Sequence, residues 1–397
     1  MNETKHYFQL KGKNAEKILH ELALKTFMID WCYLNPMIKP GKELCDLLVV
    51  FDNVAIVWQV KDLKLDKNGK YKKSEVDKNL KQLAGAKRQL FDLKRKIELC
   101  NPRRGKDFFN PSSINEVYLI SVLLGEGEDY YSALEEIKNS DVHVFSRDFT
   151  QIVLNELDTI SDFCDYLKAK EKLFLEKKRR LIVNGGEEEL LGAYIRGGRS
   201  FEQFEKFDEV IVEGNIWKSL KKDKNFIKKK EEDKISYGWD SIINRAHEGS
   251  SKYEFIAREL ARANRFKRRV LSKSFMEAHT KAHKDNKADL FRRIMSIDGV
   301  TYCFLFTDDP EPDNRELRKA MLYAICYFAR GKFLKNKKVI GVSTEKKFRP
   351  VCSYDFVLID KPEWTEQDQK KASQLQKDTG MFINYDIVET REDEYPE

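Results

Sequence analysis

Residues 42–62 read KELCDLLVVFDNVAIVWQVKD, and this stretch decides the fold. Two runs rich in Leu, Val, Ile and Trp predict a pair of strands, and the Asp-Asn step between them is typical of a tight hairpin turn. Polar side chains interrupt the apolar pattern at Asp46, Gln59 and Lys61. An isolated carboxylate in an apolar sheet costs several kcal/mol or is neutralised, so these groups need a chemical explanation.

The three polar groups are tolerable if they line one solvent-open edge and share a cation. Side chains alternate along a strand, so Gln59 and Lys61 lie on one face. Hard divalent cations prefer oxygen ligands, and Mg²⁺ takes one or two carboxylates while keeping several waters. Asp46 would supply a charged oxygen, Gln59 an amide oxygen and Val60 a backbone carbonyl to Mg²⁺ or Mn²⁺. Lys61 would position the attacking water, so the set predicts metal-assisted hydrolysis of phosphodiester bonds.

The elements around the hairpin predict an α/β fold. A helix over 14–27 precedes the strands at about 43–51 and 54–61, and a helix from Ser74 to about Leu99 follows them. The remaining predictions are a strand at 114–125, a short helix at 131–138 and a strand at 142–146.

The arrangement Asp-x12-Gln-x-Lys, on a hairpin between two helices, resembles the PD-(D/E)XK (restriction-endonuclease-like) nuclease superfamily in a Gln-x-Lys variant. The resemblance covers roughly residues 10–125 and implies an N-terminal αβββαβ core. It implies that Asp46 binds the metal, that Gln59 replaces the second acidic ligand and that Lys61 is the catalytic lysine. The sequence departs from the pattern at Cys45, where a proline usually precedes the aspartate.

An acidic residue on the first helix often completes the site in this superfamily. Glu16 is preferred because it borders the buried stripe of the predicted helix, whereas Glu21 pairs with Lys25 four residues later. Glu43 is closer to Asp46, but it faces the other way in a regular strand, and a bulge would change that. The three acids therefore remain alternatives.

A basic stretch follows the proposed lysine. Residues 61–107 contain 16 Lys and Arg against 7 Asp and Glu, an excess of nine positive charges. Such a surface can hold a phosphate backbone through counterion release. The candidate nucleic-acid-binding residues are Lys72, Lys73, Lys78, Lys81, Gln82, Lys87 and Arg88. Some members of the superfamily carry on the second helix a Gln that is followed four residues later by a Tyr. Gln82 matches this pattern only weakly, because Ala86 stands where the Tyr would be.

Three domains are predicted: a nuclease-like domain over 1–175, a charged linker with helical segments over 176–250, and a smaller C-terminal α/β accessory domain over 251–397. The last domain resembles the tail of uncharacterised bacterial proteins that carry the same nuclease-like N-terminus. A sensing, targeting or dimerising role through a homo-oligomer or a partner protein is the hypothesis for it. Thr365 is expected to cap its closing helix. Residues 265–270 form a basic helical face that contacts nucleic acid, an acidic partner or only solvent.

Composition sets the remaining limits. Apolar residues make up 41% of the 397, enough for packed cores, and the net charge is +7. No N-terminal apolar segment and no run of about 18 apolar residues is present, so a cytoplasmic protein without a membrane partner is expected. Seven scattered cysteines indicate reduced thiols.

The leading hypothesis is a metal-dependent nuclease, with DNA preferred over RNA, and the superfamily analogy suggests bacterial defence against phages or plasmids. The alternatives are a non-catalytic nucleic-acid-binding or assembly module on a degenerate nuclease fold, and an unrelated α/β enzyme with an enclosed pocket away from Lys61.

Overall fold

The computed structural model describes most of the chain. The described residues are 17, 19–39, 41–63, 66–68, 70–93, 97–124, 134–175, 180–249, 251–307, 312–382 and 387–395. They form a mixed α/β protein that divides into two compact units, Met1–Ile227 and Lys228–Glu397. No helix in the described part is long and apolar enough to cross a membrane. All seven cysteines are free thiols, as their scattered positions predict.

The first unit contains both strands and helices. Its strands are β1 (Cys32–Leu34), β2 (Met37–Lys39), β3 (Lys42–Glu43), β4 (Leu47–Phe51), β5 (Val54–Asp62), β6 (Ile97–Asn101), β7 (Gly105–Phe109), β8 (Glu116–Leu124), β9 (Glu135–Glu136), β10 (Asp141–Ser146), β11 (Arg180–Val183) and β12 (Glu209–Val212). Its helices are α1 (19–27), α2 (Lys73–Phe91), α3 (Arg147–Glu156), α4 (Ile160–Leu175), α5 (Glu187–Arg196) and α6 (Ile216–Leu220), and α7 (Lys224–Asp233) crosses the boundary between the units.

The central sheet of the first unit has the order β1-β4-β5-β8-β10-β9. The predicted hairpin is present: β4 and β5 are antiparallel, with Leu47 opposite Trp58, and Asp52 takes a positive φ in the turn. β5 and β8 are parallel and α2 connects them. This topology places the end of β5, where the polar residues lie, at the carboxyl end of a parallel strand pair, where ligands bind in open α/β sheets.

Both faces of this sheet are covered. One face, which includes Leu48 and Val57, packs against apolar residues of α2 such as Leu83. On the other face Trp58 stacks on Phe163 of α4 with ring centroids 5.6 Å apart. A sheet covered on both faces explains why the hairpin strands are almost continuously apolar rather than alternating.

Two predicted helices differ in the structure. The helix expected to reach Leu99 ends at Phe91, and β6 follows at Ile97–Asn101. Ile97 and Leu99 are buried at alternate positions, which is the burial pattern of a strand. This strand, β6, pairs with β7 in a hairpin. The helix expected at 131–138 is wrong where the chain is described, because Glu135–Glu136 forms β9 beside β10.

The segment predicted as a charged linker carries regular structure. Within 176–250, β11 and β12 pair in parallel and α5 connects them, while α8 lies in the second unit. Leu190, Leu191 and Tyr194 of α5 are buried, although the surrounding sequence is dense in charge. The apolar residues of this segment therefore form a packed interior that its high charge content obscures in the sequence.

The second unit contains a four-stranded sheet in the order β13-β14-β15-β16. Its elements are α8 (Tyr237–Gly249), α9 (Glu254–Ala261), α10 (Arg265–Lys284), β13 (Leu290–Ile297), β14 (Val300–Thr307), α11 (Pro312–Lys332), β15 (Lys338–Glu345), β16 (Asp355–Asp360) and α12 (Glu366–Thr379). α12 begins at the expected cap, where the Thr365 and Asp368 side chains form a capping box.

The prediction that residues 265–270 form an exposed basic face is wrong for the three arginines of this segment. Arg265, Arg268 and Arg269 are each at most 4% exposed. Arg265 and Arg268 pair with Asp240, and Arg269 pairs with Asp233, so these cations close ion pairs inside the second unit. Buried arginines require such partners because their charge cannot be removed.

Candidate active site

Asp46 sits in a short irregular link between β3 and β4. Its N–H donates to the carbonyl of Trp58 at 3.1 Å, and its carbonyl accepts from the backbone N–H of Asn35 at 2.9 Å. The Nε2 atom of His20 lies 3.2 Å from the same carbonyl. These contacts come from β5, from the residue that follows β1, and from α1. They fix the position of Asp46, which is only 8% exposed.

The Asp46 carboxylate meets Gln59 and Val60, two of the residues that the sequence grouped with it. Its Oδ2 accepts a hydrogen bond from Gln59 Nε2 at 2.6 Å and one from the Val60 N–H at 2.5 Å. The contact follows from register, because Leu47 pairs with Trp58 and the preceding residue therefore stands opposite Gln59. A carboxylate that accepts two N–H donors is well satisfied inside an apolar sheet.

The carboxylate of Asp46 and the amide oxygen of Gln59 are of the chemical kinds that a hard divalent cation binds. In this structure Asp46 Oδ2 and Gln59 Nε2 are 2.6 Å apart because a hydrogen bond joins them, whereas two oxygen ligands of one Mg²⁺ would lie roughly 3 Å apart. Rotating the Gln59 amide by half a turn would direct its oxygen to this position. Within the described residues, however, no group of three or more His, Cys, Asp and Glu side chains is arranged to hold a metal ion. A metal ion held by this set would therefore keep most of its ligands as water.

The three acids proposed to complete the site differ in where they lie relative to it. Glu16 lies outside the described residues. Glu21 is exposed and lies 3.8 Å from Lys17, so it belongs to the outer surface of α1. Glu43 lies at the end of β3, and three irregular residues separate it from β4. This break removes the strand alternation that predicted an opposite orientation.

Glu43 is close to Asp46 through Asn35. With its amide group oriented to satisfy both acceptors, Asn35 donates to the Asp46 carbonyl at 2.8 Å and to the Glu43 carboxylate at 3.1 Å. Glu43 also lines the same cleft as Gln59. Among the described acids considered for the site, Glu43 is the one that shares a cleft with it.

Lys61 follows Gln59 by two residues on β5 and therefore points to the same face of the sheet. The residue is half-buried, and its ammonium group makes no ion pair or hydrogen bond with any residue that the structure describes. A partly desolvated cation without a protein partner is suited to an anionic ligand.

Cys45 directly precedes Asp46 in the chain. The residue is 1% exposed, and burial, reinforced by the charges of Asp46 and Glu43, raises the pKa of its thiol well above the ordinary value. A protonated thiol in this place packs as a small apolar group and does not act as a metal ligand.

A cleft of about 290 Å³ opens beside Gln59, and we call it the α2 cleft. One wall is the β2–β3 hairpin with Lys42 and Glu43, and the other is α2 with Gln82 and Arg88. Sequence reasoning missed several other lining residues, among them Lys42, Gly85 and Gln89. The positions 82, 85 and 89 recur at helical spacing and could have indicated one face of α2.

Most of the predicted nucleic-acid-binding residues are on the surface. Lys72, Lys73, Lys78, Lys81, Gln82 and Arg88 are exposed. Lys87 differs, because it is half-buried and its Nζ donates to Ser140 Oγ at 3.1 Å. Its position on the helix turns it toward β10, away from the α2 cleft, so the prediction that it binds nucleic acid with the others is not supported by its geometry.

A buried polar pair lies next to Gln59 and was not foreseen. Ser121 of β8 stands opposite Gln59 in the parallel register and accepts a hydrogen bond from Asn79 Nδ2 of α2 at 2.7 Å. Both residues are fully buried. The pair fixes α2 over the end of β5 and so sets the position of the cleft wall.

The chain matches no protein-family model, and searches of curated proteins and of solved structures find no similar protein.

Proposed function

We propose that this protein is a metal-dependent nuclease of the PD-(D/E)XK type that hydrolyses phosphodiester bonds, with DNA preferred over RNA. The observation that carries the proposal is that Gln59 Nε2 and the Val60 N–H both donate to Asp46 Oδ2, on the strand that also carries the half-buried Lys61. The superfamily resemblance also suggests a role in bacterial defence against phages or plasmids, and a second copy or partner protein bound through the C-terminal unit.

Each residue would have a distinct part in the reaction. Asp46 and the Gln59 amide oxygen, with the Val60 carbonyl, would hold Mg²⁺ or Mn²⁺, which supplies positive charge to the scissile phosphate when bound. Lys61 would orient the attacking water and balance negative charge on the phosphate. The exposed cations of α2 would hold the phosphate backbone on either side.

Cleavage assays on the full chain test the proposal. Supercoiled plasmid, single-stranded DNA and RNA are incubated with Mg²⁺, with Mn²⁺ or with EDTA. Asp46→Asn and Lys61→Ala should each lower the rate by about 100-fold or more, because the first removes the charged ligand of the metal and the second removes the cation beside the scissile phosphate. Asp289→Asn and Lys370→Ala replace exposed residues of the second unit and serve as matched controls.

Gln59→Glu gives a second measure that does not depend on loss of activity. The added carboxylate restores the charge that the superfamily pattern normally carries, so half-maximal cleavage should need less metal. Cleavage that persists unchanged in both Asp46→Asn and Lys61→Ala would refute the assignment of the site.

The second candidate is a non-catalytic nucleic-acid-binding module on a degenerate nuclease fold. It is favoured by the absence of a three-acid group among the described residues. Salt-sensitive binding of DNA without cleavage in any metal would establish it in place of the nuclease.

A further inference from the structure

A helical glycine marks the middle of the α2 cleft. Gly85 lies inside α2, where glycine destabilises a helix by roughly 0.5–1 kcal/mol relative to alanine. Packing does not demand the glycine, because a Cβ built at this position meets no atom within 4 Å. The space above Gly85 is the cleft itself, so the missing side chain keeps the cleft open.

Two amide side chains flank this opening. Gln82 and Gln89 are seven residues apart on α2, so they share a face at a spacing of about 10 Å along the helix axis. Both line the cleft. The Oε1 atom of Gln89 is buried and has no hydrogen-bond partner among the residues that the structure describes. A turn of the side chain into the cleft would offer this acceptor to a donor on a bound ligand.

Positive charge lies on both walls. Arg88 of α2 and Lys42 of the opposite hairpin are exposed and line the same cleft, while Glu43 is its one lining acid. The cleft therefore combines amides that can read a base with cations that can hold its phosphate.

We propose that the α2 cleft is a subsite for one unpaired nucleotide of the substrate strand, with a preference for adenine. The base lies over Gly85 between Gln82 and Gln89, and the phosphate lies near Lys42 and Arg88. The inference rests on the proposed nuclease function, since Gln59 belongs both to the cleft and to the contact with Asp46.

The ligand class follows from size and from hydrogen-bonding groups. A cleft of about 290 Å³ with two walls can take one nucleotide but not a stacked duplex, so the base enters unpaired. Glutamine amides form a donor–acceptor pair that matches the N6 and N7 groups of adenine. The Gln89 acceptor would receive the adenine amino group.

Binding of labelled homopolymeric deoxyoligonucleotides tests the subsite independently of hydrolysis. Deoxyadenylate, deoxythymidylate and deoxycytidylate octamers are titrated with the full chain in EDTA, and fluorescence anisotropy gives the affinities. The deoxyadenylate octamer should bind about tenfold more tightly than the others. Equal affinities for the three octamers would overturn the proposal.

Variants of the cleft residues test whether the adenine preference arises in the α2 cleft. Gly85→Leu should fill the cleft without disturbing the helix, and Gln89→Leu removes the unsatisfied acceptor. Each should reduce deoxyadenylate affinity to the level of the other octamers, whereas the exposed Gln374→Leu of α12 should not. If Gly85→Leu keeps both its helical content and the adenine preference, the subsite is elsewhere.

The outcomes separate this proposal from the nuclease proposal. An adenine preference that depends on Gly85, found in a protein that cleaves nothing in any metal, would support the subsite and refute the nuclease. Cleavage abolished by Asp46→Asn, but with no base preference in binding, would do the reverse.

Discussion

At the residue scale, a half-buried acid and a buried histidine form a pair apart from the candidate site. Glu171 of α4 contacts His143 of β10, with Oε1 and Nε2 3.1 Å apart. Burial, and then the charge of Asp141, raises the pKa of Glu171 to about 7. Burial, with the charge of Lys170, lowers the pKa of His143 well below its ordinary value. Near pH 6 the contact therefore joins two uncharged groups.

This pair predicts a pH dependence of stability. Between pH 4.5, the ordinary pKa of a glutamate, and about 7, the folded state holds more protons at Glu171 than the unfolded state. The stabilisation from this group is complete below this window and is lost as pH rises through it. Glu171→Gln removes the titration, so its free energy of unfolding should rise relative to wild type between pH 5 and about 7.5.

Urea denaturation at several pH values measures this difference. The control is Glu363→Gln, which replaces an exposed acid of the second unit. A Glu171→Gln variant whose stability relative to wild type does not change with pH would contradict the assignment.

At the element scale, two glycines in regular elements differ in whether the structure has room for a side chain at their positions. Gly85 faces open space on α2, as described above. Gly341 lies in β15, and a Cβ there would stand 2.5 Å from Cys326 Sγ and 2.9 Å from Leu322 Cγ of α11. The close approach of helix and strand in the second unit therefore depends on the absence of a side chain.

Alanine substitutions should shift stability in opposite directions. Gly341→Ala overpacks a rigid contact and should lower the free energy of unfolding by about 1–3 kcal/mol. Gly85→Ala adds a helix-favouring residue without a clash and should raise it by up to roughly 1 kcal/mol. Guanidinium denaturation followed by circular dichroism measures both. Equal shifts of the same sign would show that the contacts around Gly341 relax.

At the scale of the whole molecule, charge is distributed unevenly along the chain. The net charge is +7, yet residues 61–107 alone carry an excess of nine positive charges. The arginines of residues 265–270, such as Arg268, are internal. The exposed lysines of α2 are instead placed where they would attract a polyanion.

Salt dependence distinguishes exposed cations from internal ones. Replacing Lys73, Lys78 and Lys81 together with glutamine should reduce the slope of log affinity for duplex DNA against log salt by up to about 3. Lys87→Gln on the same helix should leave the slope unchanged, because its ammonium group binds Ser140 inside the unit. A Lys87→Gln slope that falls by about 1 would show that this lysine reaches the phosphates.

The sequence by itself determined the features that depend on near neighbours. The β4–β5 hairpin followed from two apolar runs with turn residues between them, and the cap of α12 followed from Thr365 and the residue three positions later. The proximity of Asp46 and Gln59 also followed, because a tight turn fixes the register of a hairpin.

Only the tertiary structure decided the features that depend on distant partners. The end of α2 at Phe91, the burial of Arg268 and the turn of Lys87 toward Ser140 each involve residues outside the local pattern. Glu43 reached the cleft because the chain between β3 and β4 leaves the strand geometry. Periodicity in a sequence specifies which side of an element is apolar. It does not specify which other element packs against that side, because this depends on the free energy of the whole core.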